Sequence, residues 1–126
     1  MMDKSLTGKR AIVTAGASGI GRVVAARLIA GGATVVVCDI DEAALRRFAA
    51  EVPGCLALRC DVADPIAAAD CAARMMEHLG GIDLLVNNAG TAGPTAAVQD
   101  IDPADWAACI AVNMTVQFLL DRKSVV

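Results

Sequence analysis

The stretch Ala11-Ile-Val-Thr-Ala-Gly-Ala-Ser-Gly-Ile-Gly21 reads as a short apolar strand running into a glycine-rich turn and then a helix. Glycines at 16, 19 and 21 lack the Cβ atoms that would keep an anion away from the main chain, and they allow the backbone angles of a tight turn. A helix that starts near Ile20 points unpaired N–H groups and its positive dipole end at the same place. The turn is therefore expected to hold a phosphate. Such a run becomes specific only inside a β-α-β unit with an acid about twenty positions on. Asp39 meets that condition, closing the unbroken apolar run Thr34-Val-Val-Val-Cys38, which suits a parallel strand covered on both faces. The pair points to a dinucleotide pyrophosphate. A triphosphate loop shares the spacing of Gly16 and Gly21 but continues with Lys and then Ser or Thr, where this sequence has Arg22 and Val23.

Outward from that turn the elements alternate as β-α-β-α-β-α-β-α without a linker or repeat. Strands are expected at Arg10 to Thr14, Thr34 to Cys38, Cys55 to Cys60 and Ile82 to Val86. The first helix places Ile20, Val24 and Leu28 four apart on one face and stops at Gly31-Gly32. Asp41 caps the second, whose Leu45, Phe48 and Val52 recur at helical spacing before Pro53-Gly54. Asp64 with Pro65 opens the third helix and Gly80-Gly81 closes it; Asp102-Pro103 opens a fourth that runs to the end of the sequence.

Composition narrows the partners. Eleven basic against fourteen acidic residues in 126 give a net charge of −3, so no basic field is present for nucleic acid or an anionic membrane. The longest apolar stretch, Leu28 to Cys38, contains two glycines and a threonine and is too short to span a bilayer. Lys4, Lys9 and Arg10 before an apolar run faintly resemble a leader, but that run merges into the glycine turn and is assigned to the first strand. The five cysteines, at 38, 55, 60, 71 and 109, form no C-x-x-C pair, and His78 is the one imidazole, so no zinc or other metal site is expected. Reduced thiols packed as small hydrophobes fit a cytoplasmic protein.

On these residues the chain resembles the short-chain dehydrogenases and reductases over nearly its whole length. The resemblance rests on five motifs in the family's order: T-A-G-A-S-G-I-G at 14 to 21, Asp39, Asp61-Val62, Asn87-Asn88-Ala89-Gly90, and Asn113 within V-N-M-T. One departure is visible: the family usually has glycine directly after the threonine, and here Ala15 stands there, a methyl group expected to shift the loop slightly. The resemblance implies a Rossmann-type, doubly wound α/β parallel sheet. It places cofactor contacts at Gly16, Ser18, Gly19, Ile20, Gly21, Asp39, Asp61, Val62, Asn88, Ala89 and Gly90, with Asp61 at the adenine amino group and Val62 giving main-chain contact. The Asp39 carboxylate can accept from both ribose hydroxyls and would repel a 2′-phosphate. Position 40 is Ile and positions 17 and 18 are Ala and Ser, so no cation is near in sequence, which favours NAD over NADP.

The family's acid–base chemistry uses a tyrosine, a lysine four residues later and an upstream serine, and this sequence has no tyrosine. Asn113 alone matches the implied catalytic tetrad, holding a water in the proton path. Lys123 and Ser124 follow it on the wrong helix and are given no role. The expectation is an NAD-binding domain over residues 1–126, cut within its fourth helix, with strand order 3-2-1-4 and later strands missing. It would bind the dinucleotide and be inactive alone, and a small alcohol or ketone substrate would belong to a longer parent. A non-catalytic dinucleotide-binding or regulatory module, or the product of an interrupted gene, are the alternatives. With the fourth strand an open edge, and Ile110, Phe118 and Leu119 expected to be exposed, self-association is expected.

Overall fold

The computed structural model describes residues 4–124. Four parallel strands, β1 (Arg10–Thr14), β2 (Thr34–Asp39), β3 (Leu56–Arg59) and β4 (Leu84–Val86), form one sheet in the order β3-β2-β1-β4. The helices α1 (Gly19–Ala30), α2 (Glu42–Glu51) and α3 (Pro65–Leu79) are the crossovers. This is the expected Rossmann-type order.

Alternation along β1 and β2 decides which helix covers which face. Val13, Val35 and Val37 face α1 and α2, packing with Ala25, Leu45 and Phe48. Ile12, Val36 and Cys38 face the other way, against Cys71, Met75 and Leu79 of α3. Both central strands are thus sealed on two sides, as their unbroken apolar runs require.

The helix ends follow the residue grammar. Asp41 accepts from the Ala44 N–H (3.1 Å), Asp64 from those of Ile66 and Ala67, and Asp102 from that of Ala104 (2.8 Å). Pro65 and Pro103 take first-turn positions, where a missing N–H costs nothing, and Gly80 ends α3 at φ +71°.

Three expectations are corrected. Ile20 is 77% exposed, not on the buried face of α1. Gly21 and Ala25 make the close contact with the rest of the fold, and a residue one step before Gly21 is turned about 100° away from that face. The outer strands are shorter than expected, Leu56–Arg59 and Leu84–Val86. At the start of β4 the Asp83 N–H donates to the Arg10 carbonyl (2.9 Å) while the Asp83 carboxylate takes the Arg10 N–H (2.8 Å) and guanidinium (3.1 Å), and residue pairing with β1 begins just beyond, at Ala11 and Leu84.

The fourth helix is also not uniform. It runs as α4 (Pro103–Ile110), a π-helical turn (Ala111–Thr115) and α5 (Val116–Ser124); Val125 and Val126, expected to continue it, lie outside the described residues. α5 docks on α3 through Val116 and Leu120 against Ala68 and Ala72. Ile110 and Leu119, expected to be exposed, are half-buried, and the large exposed apolar residues of this helix are Trp106, Met114 and Phe118.

Candidate cofactor site

The glycine turn is held to the strand ends by a small set of bonds. Gly16 donates to the Cys38 carbonyl (3.2 Å), and a Cβ at Gly16 would lie 2.6 Å from a Val37 methyl, so no side chain fits there. At Gly21 a Cβ would lie 2.2 Å from the Ala15 carbonyl oxygen and 2.5 Å from Asn88 Nδ2. Gly19 sits at φ +55° with open space around it. Two glycines thus serve close approach and one serves conformation.

Ala15 occupies φ +50°, the one non-glycine residue with positive φ among those described. A left-handed conformation at a residue with a Cβ is strained. Asn88 Nδ2 donates to the Ala15 carbonyl (3.2 Å) and so helps to hold it there. Ser18 is the cap residue of α1 in extended conformation, but its hydroxyl makes no cap bond. The first-turn N–H groups of α1, at Gly19, Ile20 and Gly21, have no intrahelical acceptor, as in any α-helix.

Thr14 ties this turn to the far side of the sheet. Its buried Oγ1 accepts the N–H groups of Asn88 and Ala89, both at 2.9 Å, and reaches the Val86 carbonyl at 3.5 Å. A hydroxyl with two acceptor positions and one donor is used in full.

A cavity of about 210 Å³ opens at the carboxyl ends of the strands, lined by Ala15, Cys38, Asp39, Ile40, Cys60, Asp61, Val62, Ala89, Gly90, Thr91 and Val112. Ligands of open α/β sheets bind at that end, at the point where strand order reverses between β1 and β4. Its volume is below the ~300 Å³ lower bound of whole-ligand pockets, so it suits one end of an extended ligand.

Of the sequence-predicted residues, Asp39, Asp61, Val62, Ala89 and Gly90 meet at this cavity. Gly16, Ser18, Gly19, Ile20, Gly21 and Asn88 belong to the adjoining turn and its support. The Asp39 carboxylate accepts from the N–H of Ala17 (3.2 Å) and that of Asp41 (3.1 Å), which fixes it across the gap between turn and strand. Asp61 accepts from the Ala63 N–H (3.0 Å).

Asn113 lies apart. Its Nδ2 donates to the Thr91 carbonyl (2.7 Å) and its Oδ1 accepts the Thr91 N–H (2.8 Å), so both ends of the amide grip one residue of the loop after β4. It stands inside the π-helical turn. The water expected on this residue would have to share a side chain already engaged at both ends.

Sequence reasoning missed Cys38, Ile40, Cys60, Thr91 and Val112 as walls of the cavity. Cys38, Ile40 and Cys60 lie at or just beyond strand ends already assigned to the site, and Thr91 directly follows Gly90, so that adjacency was the available signal; Val112 enters only through the helix packing. All five cysteines are free thiols. The Cys71 thiol pushes that of Cys60 above the ordinary range, with burial adding to it, and the Cys38 thiol is the main cause that raises Cys71 to about 12. These thiols stay protonated near neutral pH and pack as small hydrophobes. No group of three or more His, Cys, Asp or Glu side chains among the described residues is arranged to hold a metal ion.

Residues 9–125 match the short chain dehydrogenase family. The chain belongs to that family. It is 37% identical over 123 residues to a short chain dehydrogenase/reductase, dpmpG, of Macrophomina phaseolina, an alignment covering 94% of this chain and 70% of that protein. Among solved structures, 3-ketoacyl-(acyl-carrier-protein) reductase from Brucella melitensis, complexed with NADH, superposes with a TM-score of 0.87 at 32% identity. A metagenomic short-chain oxidoreductase in complex with NADP superposes with a TM-score of 0.84 at 36% identity. This member of the short chain dehydrogenase family covers 50% and 56% of those two chains, so it spans about half their length. Similarity to structures holding NADH and NADP supports a nicotinamide cofactor for the family site described above.

Proposed function

We propose that this chain is the cofactor-binding half of an NAD-dependent oxidoreductase that moves a hydride between nicotinamide and a small alcohol or ketone. The observation that carries the reading is the convergence of Asp39, Asp61, Ala89 and Gly90 on one cavity beside the glycine turn. The residues fit the ligand. Asp39 offers acceptor oxygens to ribose hydroxyls, Asp61 offers one to an adenine amino group, and the bare main chain of the turn with the α1 N-terminus suits a pyrophosphate. The nicotinamide supplies the hydride when bound; this chain's residues bind and orient its adenosine end.

NAD is the preferred form, because a 2′-phosphate would meet the Asp39 carboxylate. Calorimetric titration of the chain with NAD and NADP checks this: tighter binding of NAD is expected, and equal or tighter binding of NADP would sink the charge argument. Free thiols at all five cysteines are in keeping with a cytoplasmic location.

The second reading is a non-catalytic dinucleotide-binding or regulatory module, which the same cavity and glycine turn would serve. Both readings expect binding without turnover by this chain, since missing acid–base assistance costs about 10²- to 10⁴-fold. Reductase and dehydrogenase assays over a panel of alcohols and ketones test that expectation. They are separated by adding back a segment bearing Y-x-x-x-K: activity restored in trans or in fusion supports the oxidoreductase, and none supports the module.

A further inference from the structure

The sheet register sets a cation beside the residue that selects the cofactor. Asp39 on β2 and Arg59 on β3 are register partners, and the Cys60 N–H donates to the Asp39 carbonyl at 2.9 Å just beyond them. Side chains alternate along a strand, so Asp39 leaves the same face as Val37, and Arg59 the same face as Ala57. Val37 and Ala57 both pack in the cluster under α1 and α2, so the two charged side chains emerge on one face at neighbouring positions. Cβ atoms so placed on adjacent strands are about 5 Å apart, well within the reach of an arginine.

Their states differ. The Asp39 carboxylate is pinned by the N–H groups of Ala17 and Asp41. Arg59 is exposed, and the ion pairs found among the described residues are Arg10 with Asp83 and Arg22 with Glu51, neither of which uses it. The corner also holds Asp41, whose carboxylate caps α2, and the exposed Glu42. A 2′-phosphate arriving there meets these anions, with Arg59 at the register position beside Asp39.

We propose that Arg59 sets how strongly the adenosine site discriminates against a 2′-phosphate, offsetting the Asp39 charge and donating to the phosphate so that NADP is a weaker but real second ligand. A planar guanidinium suits a phosphate through paired N–H donors. NAD has no group at that position, so Arg59 contributes little to its binding. The inference rests on the reading of the cavity as the adenosine site.

The test is calorimetric titration of the whole chain with NAD and NADP, unsubstituted and as Arg59→Ala, Arg59→Gln and Arg59→Lys. Arg59→Ala and Arg59→Gln are expected to weaken NADP about fivefold while changing NAD less than about twofold, as for one partly solvated charge-assisted contact. Arg59→Lys should recover part of the loss, and higher salt should shrink the difference. Normal NAD binding with an unchanged NADP-to-NAD ratio in both neutral variants would overturn the role of Arg59 alone. So would NADP binding too weak to detect in the unsubstituted chain. If that chain binds neither dinucleotide, the cofactor-site reading falls and this inference falls with it.

Discussion

Val36 and Val37 on β2 are fully buried, whereas Leu84 on β4 keeps 40% of its surface exposed. The two strands lie in one sheet, yet β2 has a strand on each side and helices on both faces, while β4 pairs with β1 alone over three residues. The cavity is hung between these unequal walls. Cys38, Asp39, Cys60 and Asp61 stand on the tightly packed side, and Ala89, Gly90, Thr91 and Val112 on the open one. The open wall is positioned chiefly by polar ties, through Thr14, Asn88 and Asn113, where the tight wall is positioned by packing. Packing and hydrogen bonds here do the same geometric job by different means, and they should fail differently.

The sharpest way to break that comparison is a pair of phenylalanines. Phe48 is fully buried under β2, and Phe48→Ala should cost about 3–5 kcal/mol in denaturant unfolding. Phe118, 63% exposed on the open side, should tolerate Phe118→Ser within about 0.5 kcal/mol. We also propose that this side drives self-association, so Phe118→Ser should lower the sedimenting mass. A comparable loss of stability in both variants would mean that the open side is packed after all.

Next in size is the polar tie. Thr14→Val keeps the shape but leaves the N–H groups of Asn88 and Ala89 without their acceptor, an expected loss of about 2–4 kcal/mol. Thr14→Ser should cost clearly less. Hydrogen exchange would place the damage: in Thr14→Val it should rise at residues 86–91 while the β2 amides stay protected.

A smaller effect of opposite sign is expected at Ala15. A non-glycine residue in the left-handed region costs about 1–2 kcal/mol, partly recovered when glycine adds freedom to the unfolded chain. Ala15→Gly should therefore stabilise the fold by up to about 1 kcal/mol, read as a higher unfolding midpoint at unchanged slope. A lower midpoint would show that the methyl group is packing usefully against the turn.

The slightest expected effect is electrostatic. Bonds from Arg10 hold the Asp83 carboxyl below its ordinary range, so its contribution to stability is present above that range and is lost as pH falls through the lowered value. Asp83→Asn should therefore lose that small contribution at neutral pH, flatten the acid limb, and match the unsubstituted chain below the lowered value. A marked loss at pH 7 would instead assign the residue a role in starting the β1–β4 ladder.

Much of this fold was legible because its signals are local. The Asp-Pro openings of α3 and α4 and the glycine stop of α3 act on neighbouring residues, and they fall where the sequence places them. The strand order was legible through the family resemblance. Ile20 was misplaced because a four-residue spacing shared with Val24 and Leu28 cannot tell which face a helix buries once small residues at 21 and 25 let the main chain come closer. The short β4 was missed because its start is a matter of pairing with β1, where Asp83 and Arg10, 73 residues apart, meet.

The site divides along the same line. The sequence by itself determined the glycine turn and Asp39, through the spacing expected of a β-α-β dinucleotide unit, while Asp61, Ala89 and Gly90 came from the family resemblance. Only the tertiary structure decided that Ala15 takes a left-handed conformation, that Asn113 spends its amide on Thr91, and that Arg59 stands next to Asp39. The sequence around Asp39 shows no cation, and the register of two parallel strands brings one from twenty positions away. Parallel pairing joins residues separated by a whole crossover helix, so the charge that meets a ligand at a strand end is set by neighbours in space that no local pattern announces.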